Sequence, residues 1–191
     1  KGREGSPPLS LPRLGGLHEV DEMSDAEMMR FMAGCMLAEG PAPSVETPLH
    51  SLLPQRVIAH THDVATMSLT NVPEGTAERV ITELFEGGIV YVPYVRPGFP
   101  LARSVSAMVD RIPAGAIGLT LAHHGLVVWG DDARQCQERL SQVVGRMDEY
   151  LATARRGRRL PRATPVAAPA PDERRRVAEV VLPGVGGLLG K

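Results

Sequence analysis

The sequence predicts an α/β fold. Short apolar runs of strand length alternate with segments whose apolar residues recur at helical spacing, and turns rich in Gly and Pro separate them. Alternation alone points to a parallel, doubly wound sheet. A chain of 191 residues holds one sizeable core with an appended tail.

Residues 1–20 carry Gly, Pro and Ser without a period and read as loop. "MSDAEMMRFMAGCML" then predicts a helix. Ser24 and Glu27 form a capping box, and Met28, Phe31, Met32, Cys35 and Met36 share one face as ordinary core. Gly40, Pro41 and Pro43 end that helix, and a short second one, ending near Pro54, places Glu46 and His50 on one face.

"RVIAHTH" is expected to be a strand and "DVATMSLTN" a helix starting just after it. "TAERVITELF" follows as a helix, "GIVYVPYV" as a strand and "LARSVSAMVDRI" as a surface helix. "AIGLTLAHH" and "LVVWG" are further strands. A long amphipathic helix comes next, capped by Asp131 or Asp132, with Ala133, Cys136, Leu140, Val143, Met147, Tyr150 and Leu151 facing inward.

Residues 1–154 therefore make the folded domain. Residues 155–171 turn to Arg, Pro and Ala and read as a linker or extended arm, and 172–191 as a short helix and tail. The arginines of 155–159 suit the negative end of the preceding helix.

The formal net charge of −1 leaves no polyelectrolyte character to draw the chain onto nucleic acid or an anionic membrane. No apolar run reaches the roughly 18–20 residues a bilayer crossing needs, and a cytoplasmic protein is expected. The chain opens on Lys1 rather than Met, and a natural start upstream is expected. Two cysteines, Cys35 and Cys136, make no disulfide framework and read as reduced core thiols.

Lysine occurs only at the two ends, as Lys1 and Lys191. No interior amine exists to form a Schiff base, so any carbanion chemistry requires another electron sink.

Candidates for such a sink are histidines. Residues i and i+2 of a strand project from one face about 6.5–7 Å apart, so His60 and His62 can converge on one ion while Thr61 points away. His-x-His alone fits core or surface histidines equally well. His123 and His124 close an apolar strand directly before Gly125, and if that strand lies beside the first, one of them can reach the same ion. Three imidazoles with an open position suit a catalytic zinc. Glu46 is either a fourth ligand and base or a solvated acid at a helix start. Tyr94, flanked by Pro93 and a strand end, is either a proton-donating phenol or an amphipathic rim residue.

In order along the chain, "PSVETPLH", "HTH", "VPYVRPGF" and "HHGLVVWG" resemble the class II aldolase/adducin family over about Met23 to Leu151. The likeness is greatest to the aldolase half of fused rhamnulose-phosphate aldolase/alcohol dehydrogenase proteins. The resemblance implies a three-layer α/β/α sandwich around a mostly antiparallel sheet, in place of the parallel one.

It further implies that His60, His62 and His124 bind Zn²⁺ or another divalent metal such as Mn²⁺, Co²⁺ or Fe²⁺. Glu46 is then a ligand and the proton-transferring base, Tyr94 a proton donor to an aldehyde oxygen, and Ser44 a phosphate-binding serine. A homo-oligomer, typically a tetramer, acting on a small-molecule carbonyl substrate is implied as well. The expected activity is metal-dependent cleavage or formation of a C–C bond next to a carbonyl of a sugar, sugar phosphate or related metabolite. The alternatives are a same-family epimerase, dehydratase, decarboxylase or iron oxygenase, or an adducin-like interaction module. Val45 stands where simpler aldolases carry a second serine, and the family's upstream phosphate elements have no counterpart in "KGREGSPPLS". A non-phosphorylated substrate is therefore a further alternative. No G-x-G-x-x-G opens a helix.

Overall fold

The computed structural model describes residues 7–156 and 167–189, with side chains placed up to residue 181. The chain divides into two units, residues 1–156 and 157–191.

In the first unit two fully buried central strands organise everything else. Strand β4 (Gly125–Gly130) pairs antiparallel with both β1 (Val57–Thr61) and β3 (Gly118–Leu121), and β2 (Ile89–Val92) joins β3 in parallel. The sheet order is β1-β4-β3-β2. Two of the three strand pairings are antiparallel, as the family resemblance implied and the alternation of elements did not. The parallel pair is β2 with β3, joined by the crossover through helix α6 (Phe99–Ser106).

Every residue of β3 and β4 is buried, so both faces of the sheet are covered. Period-2 geometry sends Val127 and Trp129 to one core and Leu126 and Val128 to the other. On the first face lie helices α1 (Leu11–Leu14), α2 (Asp25–Gly34) and α3 (Thr47–Ser51) with α6, through residues such as Leu14, Met28, Met32, Leu49 and Phe99. On the second lie α4 (Val64–Thr70), α5 (Glu74–Phe85) and α7 (Ala133–Ala154), through Leu69, Ile81, Val143 and Met147. The result is three layers.

The capping box of α2 is complete. The Ser24 hydroxyl accepts the Glu27 N–H, and the Glu27 carboxylate accepts the Ser24 N–H at 2.9 Å. Met28 and Met32 are fully buried core residues. Asp132, not Asp131, caps α7, accepting the Gln135 N–H at 2.8 Å. Cys35 and Cys136 are buried free thiols.

Four expectations need correction. Residues 7–20 are not all loop: α1 and a 3₁₀ turn, Gly15–Glu19, bury Leu14 and Leu17, whose i, i+3 spacing was hidden among Gly and Pro. Helix α6 is not superficial, since Phe99, Leu101, Ala102 and Val105 are all buried. Ala133 and Tyr150 of α7 face solvent, because the stripe that meets the sheet is narrower than the apolar pattern. Strand β3 ends at Leu121, so His123 and His124 lie in the turn that follows it.

The second unit contains helix α8 (Pro171–Leu189), with Asp172 and Glu173 in its first turn where the helix dipole favours acids. It takes up most of the 172–191 stretch that was expected to be a short helix and tail. Of the predicted linker, residues 157–166 lie outside the described residues. Among the described residues no helix is long and apolar enough to cross a membrane.

Candidate metal centre

Strand register brings the histidines together. Thr61 pairs with Leu126, and Leu121 with Gly125, so the end of β1 lies beside the β3–β4 turn that carries His124. His60 and His62 leave β1 on one face. Thr61 points the other way, its hydroxyl donating to Asp63 Oδ2 at 3.1 Å. Asp63 also accepts the Thr66 N–H at 2.8 Å, which caps α4 and stops the strand directly after His62.

Gly125 makes the approach possible. A Cβ there would run into the Thr61 carbonyl oxygen and stand 2.9 Å from His62 Cδ2 and 3.2 Å from His60 Cε1. Glu46 arrives from the other side, on the turn that opens α3. The Ser44 hydroxyl accepts the Glu46 N–H at 3.2 Å, and the Ser44 carbonyl accepts the Thr47 N–H at 3.0 Å. Ser44 thus shapes the turn that presents the carboxylate.

Four ligand atoms meet. His124 Nε2 lies 2.9 Å from Glu46 Oε1, His60 Nε2 3.3 Å, and His62 Nε2 3.4 Å. His60 Nε2 is also 3.0 Å from His62 Nε2 and 3.3 Å from His124 Nε2. Metal–ligand bonds of about 2.0–2.1 Å in a tetrahedron place the ligands roughly 3.3 Å apart along each edge. The spacing found here matches that edge, so these residues fit a divalent ion.

The protonation pattern agrees. His60 Nδ1–H donates to the Leu126 carbonyl at 2.9 Å, which leaves the Nε2 lone pair facing the cluster. Burial lowers the His60 pKa, and the positive character of His124 and His62 adds to it; the Leu126 carbonyl and Glu46 oppose the shift without reversing it. At neutral pH the ring is therefore the neutral, metal-binding form. Burial pushes the Glu46 carboxyl up, but the hydrogen bond from His124 and the charges of His60, His124 and His62 outweigh it and hold it below its ordinary value.

His60 and His124 are shielded, with side chains 4% and 6% exposed, whereas that of His62 is 55% exposed. The cluster is thus backed by protein and open on the His62 side, as a site that admits a ligand must be. Beside it lies a cleft of about 320 Å³ lined by Ser44, Glu46, Thr47, His50 and His60. His50, whose pKa burial lowers, faces His60 with ring centroids 6.3 Å apart. Its spacing from Glu46 was the sequence signal for that placement.

Of the paired histidines, His124 joins the cluster and His123 does not. The His123 ring instead meets Tyr94, at a centroid distance of 5.8 Å. Tyr94 stands half exposed just past β2 and is outside the group of four ligand residues. Asn71, whose side chain bonds to His123, was not anticipated, and nothing in its local sequence marks it.

The family profile described as Class II Aldolase and Adducin N-terminal domain matches residues 17–151. The chain belongs to this family. Among its relatives, the uncharacterized oxidoreductase YuxG of Bacillus subtilis (strain 168) is 32% identical over 144 residues, covering 75% of this chain and 20% of YuxG. The methylthioribulose-1-phosphate dehydratase of Acidiphilium cryptum (strain JF-5) is 31% identical over 127 residues, covering 59% of this chain and 60% of the enzyme. The solved N-terminal class II aldolase domain of a conserved protein from Thermoplasma acidophilum superposes with a TM-score of 0.67 at 30% identity, covering 75% of this chain and 65% of that one. This class II aldolase-family chain thus spans about a fifth of YuxG and under two thirds of the other two.

Proposed function

We propose that this domain is a metal-dependent lyase that makes or breaks a C–C bond beside the carbonyl of a ketose or related metabolite. The observation that carries this reading is the convergence of His60, His62, His124 and Glu46 at tetrahedral-edge distances on one open-sided point. A bound divalent ion would supply Lewis-acid polarisation of the substrate carbonyl, the electron sink that a chain without interior lysine needs.

The residues divide the remaining work. The Glu46 carboxylate takes the proton from the carbon next to the carbonyl, and the electron pair of that C–H bond spreads onto the carbonyl oxygen. The same carbon then bonds to the aldehyde carbon, whose oxygen takes a proton from the Tyr94 phenol; cleavage runs the steps in reverse. His60, fixed by Leu126, keeps its Nε2 aimed at the site, and Ser44 holds the turn that aims Glu46. The substrate enters beside His62 and lies in the cleft of Ser44, Thr47 and His50.

The first half of this sequence is testable without knowing the aldehyde partner. The protein loaded with Zn²⁺, Mn²⁺, Co²⁺ or Fe²⁺ is incubated in D₂O with dihydroxyacetone phosphate and with dihydroxyacetone, and loss of the α C–H signal is followed by NMR. Exchange above background is expected. Glu46→Gln should slow it by about 10²-fold or more. A fully metallated protein that exchanges neither ketone would exclude the reading.

The relative named as a methylthioribulose-1-phosphate dehydratase supports a second reading, elimination of water from a sugar phosphate. That reaction begins with the same proton removal by Glu46, but the enolate then expels the hydroxyl of its β-carbon, which leaves as water with a proton from the site, instead of bonding to an aldehyde. Products decide between them. A ketose 1-phosphate that yields an aldehyde marks the lyase of C–C bonds, and one that yields a dehydrated dicarbonyl marks the dehydratase.

A further inference from the structure

We propose that His123 is a positioning residue that holds the Tyr94 ring in place. This rests on the lyase reading above for the role of Tyr94, while the placement itself rests on geometry.

The backbone gives the first observation. Leu121 and Gly125 face each other across β3 and β4, so residues 122–124 form a three-residue connection, closed by the His124 N–H on the Leu121 carbonyl at 3.1 Å. Within it His123 has φ of 54°, in the left-handed region that favours glycine or asparagine. Glu86, the other described non-glycine residue with positive φ, ends a helix, where that conformation is common. His123 ends no helix. Histidine is among the few non-glycine side chains that visit this region, and here it directs the ring away from the cluster and toward Tyr94.

The contacts of His123 run to two elements. Asn71 Oδ1, at the end of α4, accepts the His123 Nδ1–H at 3.1 Å and so fixes both the tautomer and the ring plane. The ring then packs against Tyr94 at 5.8 Å between centroids and 71° between planes. The Tyr94 backbone is pinned separately, its N–H donating to Glu74 Oε1 at 3.0 Å. Two residues before it, the Val92 carbonyl accepts the Ala122 N–H at 3.0 Å, which ties the end of β2 to the same connection. The half-exposed Tyr94 ring is therefore braced by a residue bonded directly to His124. One end of His123 sets the aromatic donor and the other end the ligand.

The decisive variant is His123→Gly, which removes the ring and suits the backbone. Its melting temperature should equal or exceed that of the parent. The ratio of aldol addition, with glycolaldehyde as probe, to α-proton exchange of dihydroxyacetone phosphate should fall about tenfold or more, because addition uses Tyr94 and exchange uses Glu46. In a Tyr94→Phe background the same change should cost nothing further. A ratio within twofold of the parent, or a full additional loss in that background, overturns the proposal. If the glycine variant loses metal, His123→Asn, which tolerates the same backbone, is judged by the same two outcomes. A readout independent of catalysis separates this from the lyase reading. With ¹³Cζ-labelled tyrosine the protein shows three tyrosine signals, from Tyr91, Tyr94 and Tyr150, and His123→Gly should shift that of Tyr94. An unmoved signal refutes the brace even if the lyase is active, whereas absent exchange in the parent refutes the lyase even if the signal moves.

Discussion

His60 donates its Nδ1–H to the carbonyl of Leu126 at 2.9 Å, across the β1–β4 pairing, and this single bond turns the opposite nitrogen toward Glu46 and His124. A sheet hydrogen-bonding partner thereby orients a candidate metal ligand. Removing the ring should cost more than the about 10–100-fold in metal affinity that follows loss of an outer partner. His60→Ala is expected to purify with little bound metal and to compete poorly with a chromophoric chelator for Zn²⁺, while retaining its circular dichroism spectrum.

The same ring predicts a pH dependence of the metal-free protein. His60 and His50 both have folded pKa values below the ordinary 6.5, chiefly through burial. Below pH 6.5 the unfolded chain binds protons that the folded chain refuses, so stability falls with falling pH and levels off beneath the folded values. The slope in that window is at most about 1.4 kcal/mol per pH unit for each imidazole. Urea unfolding of the chelator-treated protein between pH 7.5 and 5 checks it. A flat or rising stability on acidification would contradict the burial of these rings.

Gly125 is predicted to tolerate no side chain. A methyl group there meets the Thr61 carbonyl and both His60 and His62, so Gly125→Ala must push β1 and β4 apart at the point where the ligands converge. A loss above about 2 kcal/mol in unfolding free energy, together with weakened Zn²⁺ binding, is expected. Denaturant titration with and without metal measures both.

Asp132 offers a contrast far from the centre. Its carboxylate caps α7, and Asp132→Ala should cost about 1 kcal/mol, or roughly 2–4 °C in melting temperature. Metal content should not change. A variant that lost metal along with this small stability would show that α7 and the centre are energetically coupled.

Cys35 and Cys136 are both buried, and burial raises the Cys35 pKa despite the nearby Arg13. Neither thiol should react with a disulfide reagent in the folded protein, and two equivalents should react after unfolding. Fast labelling of the native protein would contradict the core assignment.

Most helices could be read from local rules because caps and 3.6-residue periods are properties of contiguous residues. Ser24 with Glu27, Asp63 before Val64, and Asp132 before Ala133 each announce a helix start within four residues. Leu14 and Leu17 escaped because their helix is too short to display a period among glycines and prolines. The four residues that cluster were legible as candidates too, since His-x-His, the His-Gly pair and the acid of "PSVE" are local patterns whose order along the chain identifies the family.

Sequence by itself determined most of the element types and the family, and the order of its motifs marked Glu46, His60, His62 and His124 as candidate ligands, all of which depend on neighbours in the chain. Tertiary structure alone decided that β1 pairs antiparallel with β4, which brings His124 to His60 and Glu46 while His123 turns to Tyr94. It also decided that the centre opens on the side of His62. Convergence of residues 46, 60, 62 and 124 is set by strand register and by a turn with one residue in the left-handed region. A one-residue slip would send every side chain of β1 to the opposite face, and no pattern within seven residues encodes which register wins.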